Sequence, residues 1–179
     1  MVIEAVSELN GQPPPELEEI KLDLPFDAHL PTDYVQAEPQ RLEAYRKLAA
    51  VQQEAEVDAI RDEWVDRYGP VPDAAERLLE VAQLRAHCAR LGVTELVVVK
   101  GPGFGGPEFV AKLGPVEMKV SQEVRFTRLF PSGVWKAKEF GERGGQLQVG
   151  LKKKATLATD LVTFFETLFP IEEMAEAAS

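Results

Sequence analysis

The chain has 179 residues and a formal net charge of −10, and 45% of its residues are hydrophobic and 28% are charged. One cysteine and two histidines exclude a disulfide framework and a cysteine-rich zinc site. No run of about eighteen apolar residues supports a membrane span, so we expect a cytoplasmic globular protein without a metal.

The charge is distributed unevenly along the chain. Residues 1–95 carry 20 acidic and 9 basic side chains, whereas residues 96–170 carry 7 acidic and 11 basic side chains. An acidic surface repels nucleic acid and suits a basic protein partner. Residues 96–170 carry more basic than acidic side chains, so they leave a weaker possibility of nucleic-acid binding.

The chain divides into three parts. Apolar residues recur at helical spacing up to Gly11, which predicts the end of a helix that belongs to an upstream region. Three consecutive prolines at 13–15 then predict a stiff linker. We therefore expect a helix end and a linker in residues 1–17, a domain in 18–170 and a flexible acidic tail in 171–179.

The first half of the domain is predicted to contain one strand and three helices. Apolar and polar residues alternate from Ile20 to Phe26, which indicates a half-buried strand. Helical spacing then predicts helices over Pro39–Gln52, Glu54–Tyr68 and Asp73–Leu91. The third of these is apolar around most of its circumference, so we expect it to be the central core helix.

The second half changes to short strands. The expected order is strands at 94–100 and 108–113, a weaker helical or turn segment at 121–130, a hairpin of 134–140 with 146–151, and a last helix over Thr156–Phe169. The sequence therefore predicts an α+β fold, in which a small mixed or antiparallel sheet packs with three consecutive helices and a C-terminal helix.

A glycine-rich loop, Gly101-x-Gly103-x-x-Gly106, follows the first of these strands. A phosphate-binding loop of this type needs a helix to begin at its third glycine, but a strand pattern follows here. Pro102 and Pro107 also remove two backbone donors. We interpret the loop as a hairpin tip, and we expect neither a nucleotide nor another cofactor.

No arrangement of catalytic side chains emerges from the remaining sequence. His29 lies in a proline-bounded loop, whereas His87 and Cys88 lie on the core helix, and all three are interpreted as structural. No catalytic residue and no metal ligand is predicted.

Two charged surfaces each leave two interpretations open. On the second helix, Glu63, Asp66 and Arg67 fall away from the apolar positions, either as a solvated face or as a surface for a partner. In the basic hairpin around residues 135–154, cations alternate with Trp135 and Phe140, which is typical either of a charged exterior or of a nucleic-acid-binding module. The cations are Lys136, Lys138, Arg143 and Lys152–Lys154.

Several motifs carry a resemblance to a known family. The stretch LPTDYV is followed by RLEAYRKL, and DRYGPVP comes later. This pattern resembles the C-terminal (TRCF) domain of the bacterial transcription-repair coupling factor family, Mfd, over roughly residues 18–170. The resemblance implies that residues 1–11 are the end of a preceding translocase region.

The resemblance implies a regulatory role without catalysis in this domain. The parent would be an ATP-dependent DNA translocase that removes RNA polymerase stalled at DNA lesions and recruits UvrA through a UvrB-like N-terminal module. The C-terminal domain would pack on that module, mask its UvrA-binding surface and restrain the translocase. In the family this contact uses the exposed side of the helix that ends in DRYG, which corresponds here to Glu63, Asp66 and Arg67.

Overall fold

The computed structural model describes residues 19–171, so the predictions for residues 1–17 and 172–179 lie outside the described part. The described elements are β1 (Lys21–Asp23), α1 (Glu38–Ala49), α2 (Glu54–Tyr68), α3 (Asp73–Leu91), β2 (Glu95–Lys100), β3 (Phe109–Val116), α4 (Val120–Leu129), β4 (Val134–Lys136), β5 (Gly145–Leu151) and α5 (Leu157–Leu168). This arrangement confirms the α+β class.

The strands form a mixed sheet with the order β1-β2-β3-β5-β4. β1 pairs with β2 in parallel, because three helices lie between them in the chain and return it to the same end of the sheet. The other neighbours, β2 with β3, β3 with β5 and β4 with β5, pair antiparallel. One face of the sheet is buried, and the other carries half-buried or exposed side chains such as Val97, Val99 and Lys112.

The buried side chains form two hydrophobic clusters. The sheet cluster contains the inner side chains of β2, β3 and β5 together with those of α5, among them Leu96, Leu147 and Phe165. The helical cluster contains the inner side chains of α1 and α2 together with those on one side of α3. α3 contributes Leu79 to the helical cluster and Leu84 to the sheet cluster, which confirms its prediction as the central helix.

Three local predictions needed adjustment. The first strand is limited to β1, because Pro25 has no N–H to donate to a sheet and the chain bends there. The weaker segment at 121–130 is a regular helix, α4, whose Gln122 Oε1 accepts the Lys119 N–H at 2.9 Å. The hairpin strand expected over 134–140 ends at Lys136, since a turn at Gly141 with φ of 89° follows it.

Candidate functional site

The core face of α2 fixes which of its side chains point outward. Val57, Ile60 and Trp64 are 0%, 8% and 2% exposed. These positions follow the helical period, so the phase predicted for this helix is confirmed. Charged side chains between them must then lie on the flanks or on the outer surface of α2.

The motif residues before α1 hold the end of α2 in place. The Tyr34 hydroxyl lies 2.9 Å from the carbonyl oxygen of Gly69, just beyond the last turn of α2. Its ring also meets that of Tyr68 edge to face, with centroids 5.7 Å apart. The Tyr45 hydroxyl accepts the N–H of Leu30 at 2.9 Å. These motif positions therefore have structural roles: Tyr34 holds the end of α2, and Tyr45 ties α1 to the segment before it.

Glu63 lies between two cations. Its carboxylate accepts hydrogen bonds from Lys47 Nζ, at 2.9 and 3.0 Å to the two oxygens, and from Arg67 Nη1 at 2.9 Å. The hydrogen bond from Lys47, followed by that from Arg67, lowers the pKa of the Glu63 carboxyl group. The same two bonds raise the pKa values of Lys47 and Arg67. Glu63 is therefore ionised and oriented at neutral pH.

Arg67 is held from two sides. Besides its bond to Glu63, its guanidinium carbon lies 5.1 Å from the centroid of the Tyr68 ring, a distance typical of a cation–π contact. The bond to Glu63 uses one guanidinium nitrogen, Nη1. Arg67 is thus oriented in advance on the surface of α2, with 42% of its side chain exposed.

Asp66 differs from its two neighbours. It is exposed, and within residues 19–171 the structure gives its carboxylate no hydrogen bond and no ion pair. The structure therefore brings Glu63 and Arg67 together and places Asp66 beside them, with no partner in the described part of the chain. We call these three residues with Lys47 the α2 surface.

Lys47 is the member of this surface that sequence reasoning missed. It lies on α1, 16 residues before Glu63, and it also approaches Glu43 at 3.7 Å. The i,i+4 spacing of Glu63 and Arg67 was visible in the sequence, whereas the pair with Lys47 depends on how α1 packs against α2.

The basic hairpin does not form one surface. Trp135 packs against the sheet cluster, and its Nε1–H donates to Glu123 Oε1 at 3.1 Å. Lys136 and Lys138 form ion pairs with Glu139 and Glu117 at 3.4 and 2.7 Å. Lys152–Lys154 follow β5, at the end of the sheet opposite to the β4–β5 turn. The predicted combination of Trp135 with all of these cations is therefore not assembled.

The residues with catalytic potential lie in structural positions. Burial raises the pKa of the Cys88 thiol to about 12, so the thiol stays protonated. The glycine loop joins the antiparallel strands β2 and β3, as predicted for a hairpin tip. In the part of the chain that the structure describes, no group of three or more potential ligands could hold a metal ion. Over the same residues, no helix is long and apolar enough to cross a membrane.

A buried polar group joins the two hydrophobic clusters. His87 is 1% exposed, and its ring stacks on Phe165 with centroids 5.4 Å apart. Its Nδ1 lies 2.8 Å from Glu54 Oε1 and 2.9 Å from Arg90 Nη2, and Arg90 Nη2 also donates to the carbonyl oxygen of Phe169 at 3.0 Å. Burial lowers the pKa of His87 to about 4, so the ring is neutral at pH 7.

Nδ1 of the neutral His87 ring can bond only one of these two neighbours. It either donates to Glu54 Oε1 or accepts from Arg90 Nη2, according to the tautomer, because a neutral ring nitrogen carries either a hydrogen or a lone pair. His87 Nε2 is buried and has no hydrogen-bond partner among residues 19–171. This group is a structural junction between α2, α3 and the end of α5.

Comparison with known proteins relates a large part of the chain to one family. Residues 24–104 match the family described as the TRCF domain. A transcription-repair-coupling factor of Mycobacterium bovis is 38% identical over 122 residues, which are 68% of this chain and 9% of that protein. The corresponding protein of Staphylococcus haemolyticus is 39% identical over 103 residues, 56% of this chain and 9% of that protein.

A solved structure agrees in fold. The crystal structure of the C-terminal domain of a transcription-repair coupling factor superposes with a TM-score of 0.63 at 20% identity, covering 87% of this chain and 95% of the other. The class is therefore an α+β domain of the TRCF type. The chain carries a TRCF domain over residues 24–104 and is similar to the C-terminal domain of transcription-repair coupling factors; it spans 9% of the length of these relatives.

Proposed function

We propose that this domain is a non-catalytic, autoinhibitory protein-interaction domain of a transcription-repair coupling factor. In this proposal the α2 surface packs on a UvrB-like N-terminal module of the same protein and masks its UvrA-binding surface. The contact also restrains the ATP-dependent DNA translocase that removes stalled RNA polymerase. The family resemblance supports the proposal, and the observation that carries it is the geometry of the α2 surface.

The α2 surface has the properties of a reversible contact. Glu63 and Arg67 hold each other, so little side-chain entropy remains to be lost when a partner binds. Asp66 offers a carboxylate without a partner among residues 19–171, which suits a cation on the opposing surface. Polar contacts of this kind give specificity and register more than irreversible affinity, as an autoinhibitory contact requires.

Three charge-reversing variants test the proposed contact, and Asp66→Arg is the clearest of them. Glu63→Arg and Arg67→Glu reverse charges at the proposed contact, but both also disrupt the bonds with Lys47 or between the two residues themselves. Asp66→Arg reverses a charge that has no partner in the described part of the domain. It should therefore weaken the contact and leave the fold intact.

The experiment uses the full-length coupling factor. We expect Asp66→Arg, Arg67→Glu and Glu63→Arg to raise basal ATPase activity and UvrA binding, by a factor between about 5 and 150 for a coupling of about 1 to 3 kcal/mol. The matched control is Glu166→Arg, the same change of charge at an exposed position on α5. If Asp66→Arg and Arg67→Glu both behave like Glu166→Arg, the α2 surface is only a solvated face.

A further inference from the structure

The end of the sheet at which β2 and β5 finish carries an exposed aromatic ring and several lysine side chains. Lys100 at the end of β2 pairs with Phe109 of β3, and Phe109 pairs in turn with Leu151 at the end of β5. With strands about 4.8 Å apart, the Cα atoms of Lys100 and Leu151 lie about 10 Å from each other. The glycine loop at 101–108 and the lysines after Leu151 therefore emerge side by side.

Direct contact joins the glycine loop to β5. Pro107, at the base of the glycine loop, lies against β5: a Cβ atom built on Gly150 would stand 2.8 Å from its Cβ. The N–H of Gly101 donates to the carbonyl oxygen of Glu108 at 2.7 Å and closes the loop. The loop thus has a fixed base on the sheet, and its tip projects beyond that base.

Phe104 is at that tip. Its side chain is fully exposed, and its φ of 41° lies in the left-handed region, between Gly103 and Gly105 with φ of 66° and 80°. A single exposed apolar side chain is common in proteins and by itself indicates nothing. A ring that is held away from the core beside several cations is the arrangement by which proteins stack an unpaired base.

The neighbouring lysines are available for a ligand. Within residues 19–171 the structure gives the exposed side chains of Lys100, Lys152 and Lys153 no ion pair and no hydrogen bond. Glu108 is the one carboxylate of the loop. Lys154 instead faces a groove that Asp73, Glu76 and Glu80 also line, so it is not assigned to this surface.

We propose that Lys100, Phe104, Lys152 and Lys153, which we call the cationic tip, bind single-stranded nucleic acid. One base stacks on Phe104, and the three lysines contact phosphates of the backbone. An acidic polypeptide would satisfy the lysines but would gain little from the phenyl ring, so the observations favour nucleic acid. This inference is independent of the proposed autoinhibition, because it uses other residues.

The test measures the affinity of the 179-residue chain for a fluorescently labelled oligothymidylate of twelve nucleotides. Binding is followed by fluorescence anisotropy at several salt concentrations. Three phosphate contacts predict a slope of log K against log salt of about −2. Phe104→Ala should weaken binding at least about fivefold. The double variant Lys152→Gln/Lys153→Gln should make this slope less negative by about 1.4, because two phosphate contacts are lost.

The chain supplies matched controls at the opposite end of the sheet. Phe140 is as exposed as Phe104, and Lys136 is an exposed lysine of β4, so Phe140→Ala and Lys136→Gln should leave binding unchanged. Oligouridylate in place of oligothymidylate tells RNA from DNA, and tight binding of either supports the proposal. Equal effects of Phe104→Ala and Phe140→Ala, equal affinity for duplex DNA, or equally strong competition by polyglutamate would overturn it.

Discussion

The stability of the domain should depend on pH through His87. The ring has a pKa of about 4 in the folded protein, chiefly because burial disfavours its charged form; the positive charge of Arg90 also lowers the pKa, and the negative charge of Glu54 opposes the shift. In the unfolded chain a histidine has a pKa of about 6.5. Between these two values the unfolded state binds a proton that the folded state does not, so the free energy of unfolding falls as the pH is lowered.

The two pKa values set the size of this effect. Lowering the pH from 7 to 5 should cost about 2 kcal/mol through His87 alone. Because carboxylates also titrate near this range, the effect of His87 must be isolated by difference. His87→Gln removes the titrating group while its amide can still donate to Glu54. Its stability should be lower than that of the wild type at pH 7, but the deficit should shrink by about 2 kcal/mol at pH 5.

The measurement is urea unfolding followed by circular dichroism at several pH values between 7 and 5, with linear extrapolation to water. His29→Gln is the matched control, since it removes an exposed histidine and leaves His87 in place. A difference between wild type and His87→Gln that stays constant from pH 7 to pH 5 would refute the reasoning. It would mean that His87 has the same protonation state in the folded and the unfolded protein throughout this pH range.

Two further predictions concern the core and the glycine loop. Trp64 is 2% exposed, so Trp64→Ala should lower the free energy of unfolding by about 3 to 5 kcal/mol. In the same denaturation assay Val65→Ala, at an exposed position of α2, should change it by less than about 0.5 kcal/mol, and equal effects of the two variants would contradict our assignment of the core face. The 179-residue chain should not bind ATP, because a strand rather than a helix follows the glycine loop; NMR shifts at Gly101–Gly106 that saturate with micromolar ATP would show the opposite.

Much of the fold was predictable because its helices are amphipathic. In α2 the spacing of Val57, Ile60 and Trp64 indicated the buried side of the helix, and the structure buries these three. Capping glycines marked the ends of α2 and α3, where φ of Gly69 is 87° and φ of Gly92 is 73°. Both signals are local, so a reading of neighbouring residues detects them.

The sheet order and the grouping of side chains were not predictable in the same way. β1 pairs with β2 across three intervening helices, and no local pattern encodes which distant strand is its neighbour. The same limit hid the bond between Lys47 and Glu63, and it made Trp135 and Lys152 look like parts of one surface. The pairing of β4 with β5 separates these two residues: Trp135 lies near the start of β5, and Lys152 follows its end.

The α2 surface and the cationic tip should act independently. The α2 surface lies on helices that pack around the helical cluster, whereas the cationic tip extends from strands of the sheet cluster. Changes at separated sites without shared partners have additive effects. Asp66→Arg should therefore alter UvrA binding without changing the affinity for oligothymidylate, and Phe104→Ala should do the reverse. A variant at one surface that changed both quantities would show that the two surfaces are coupled.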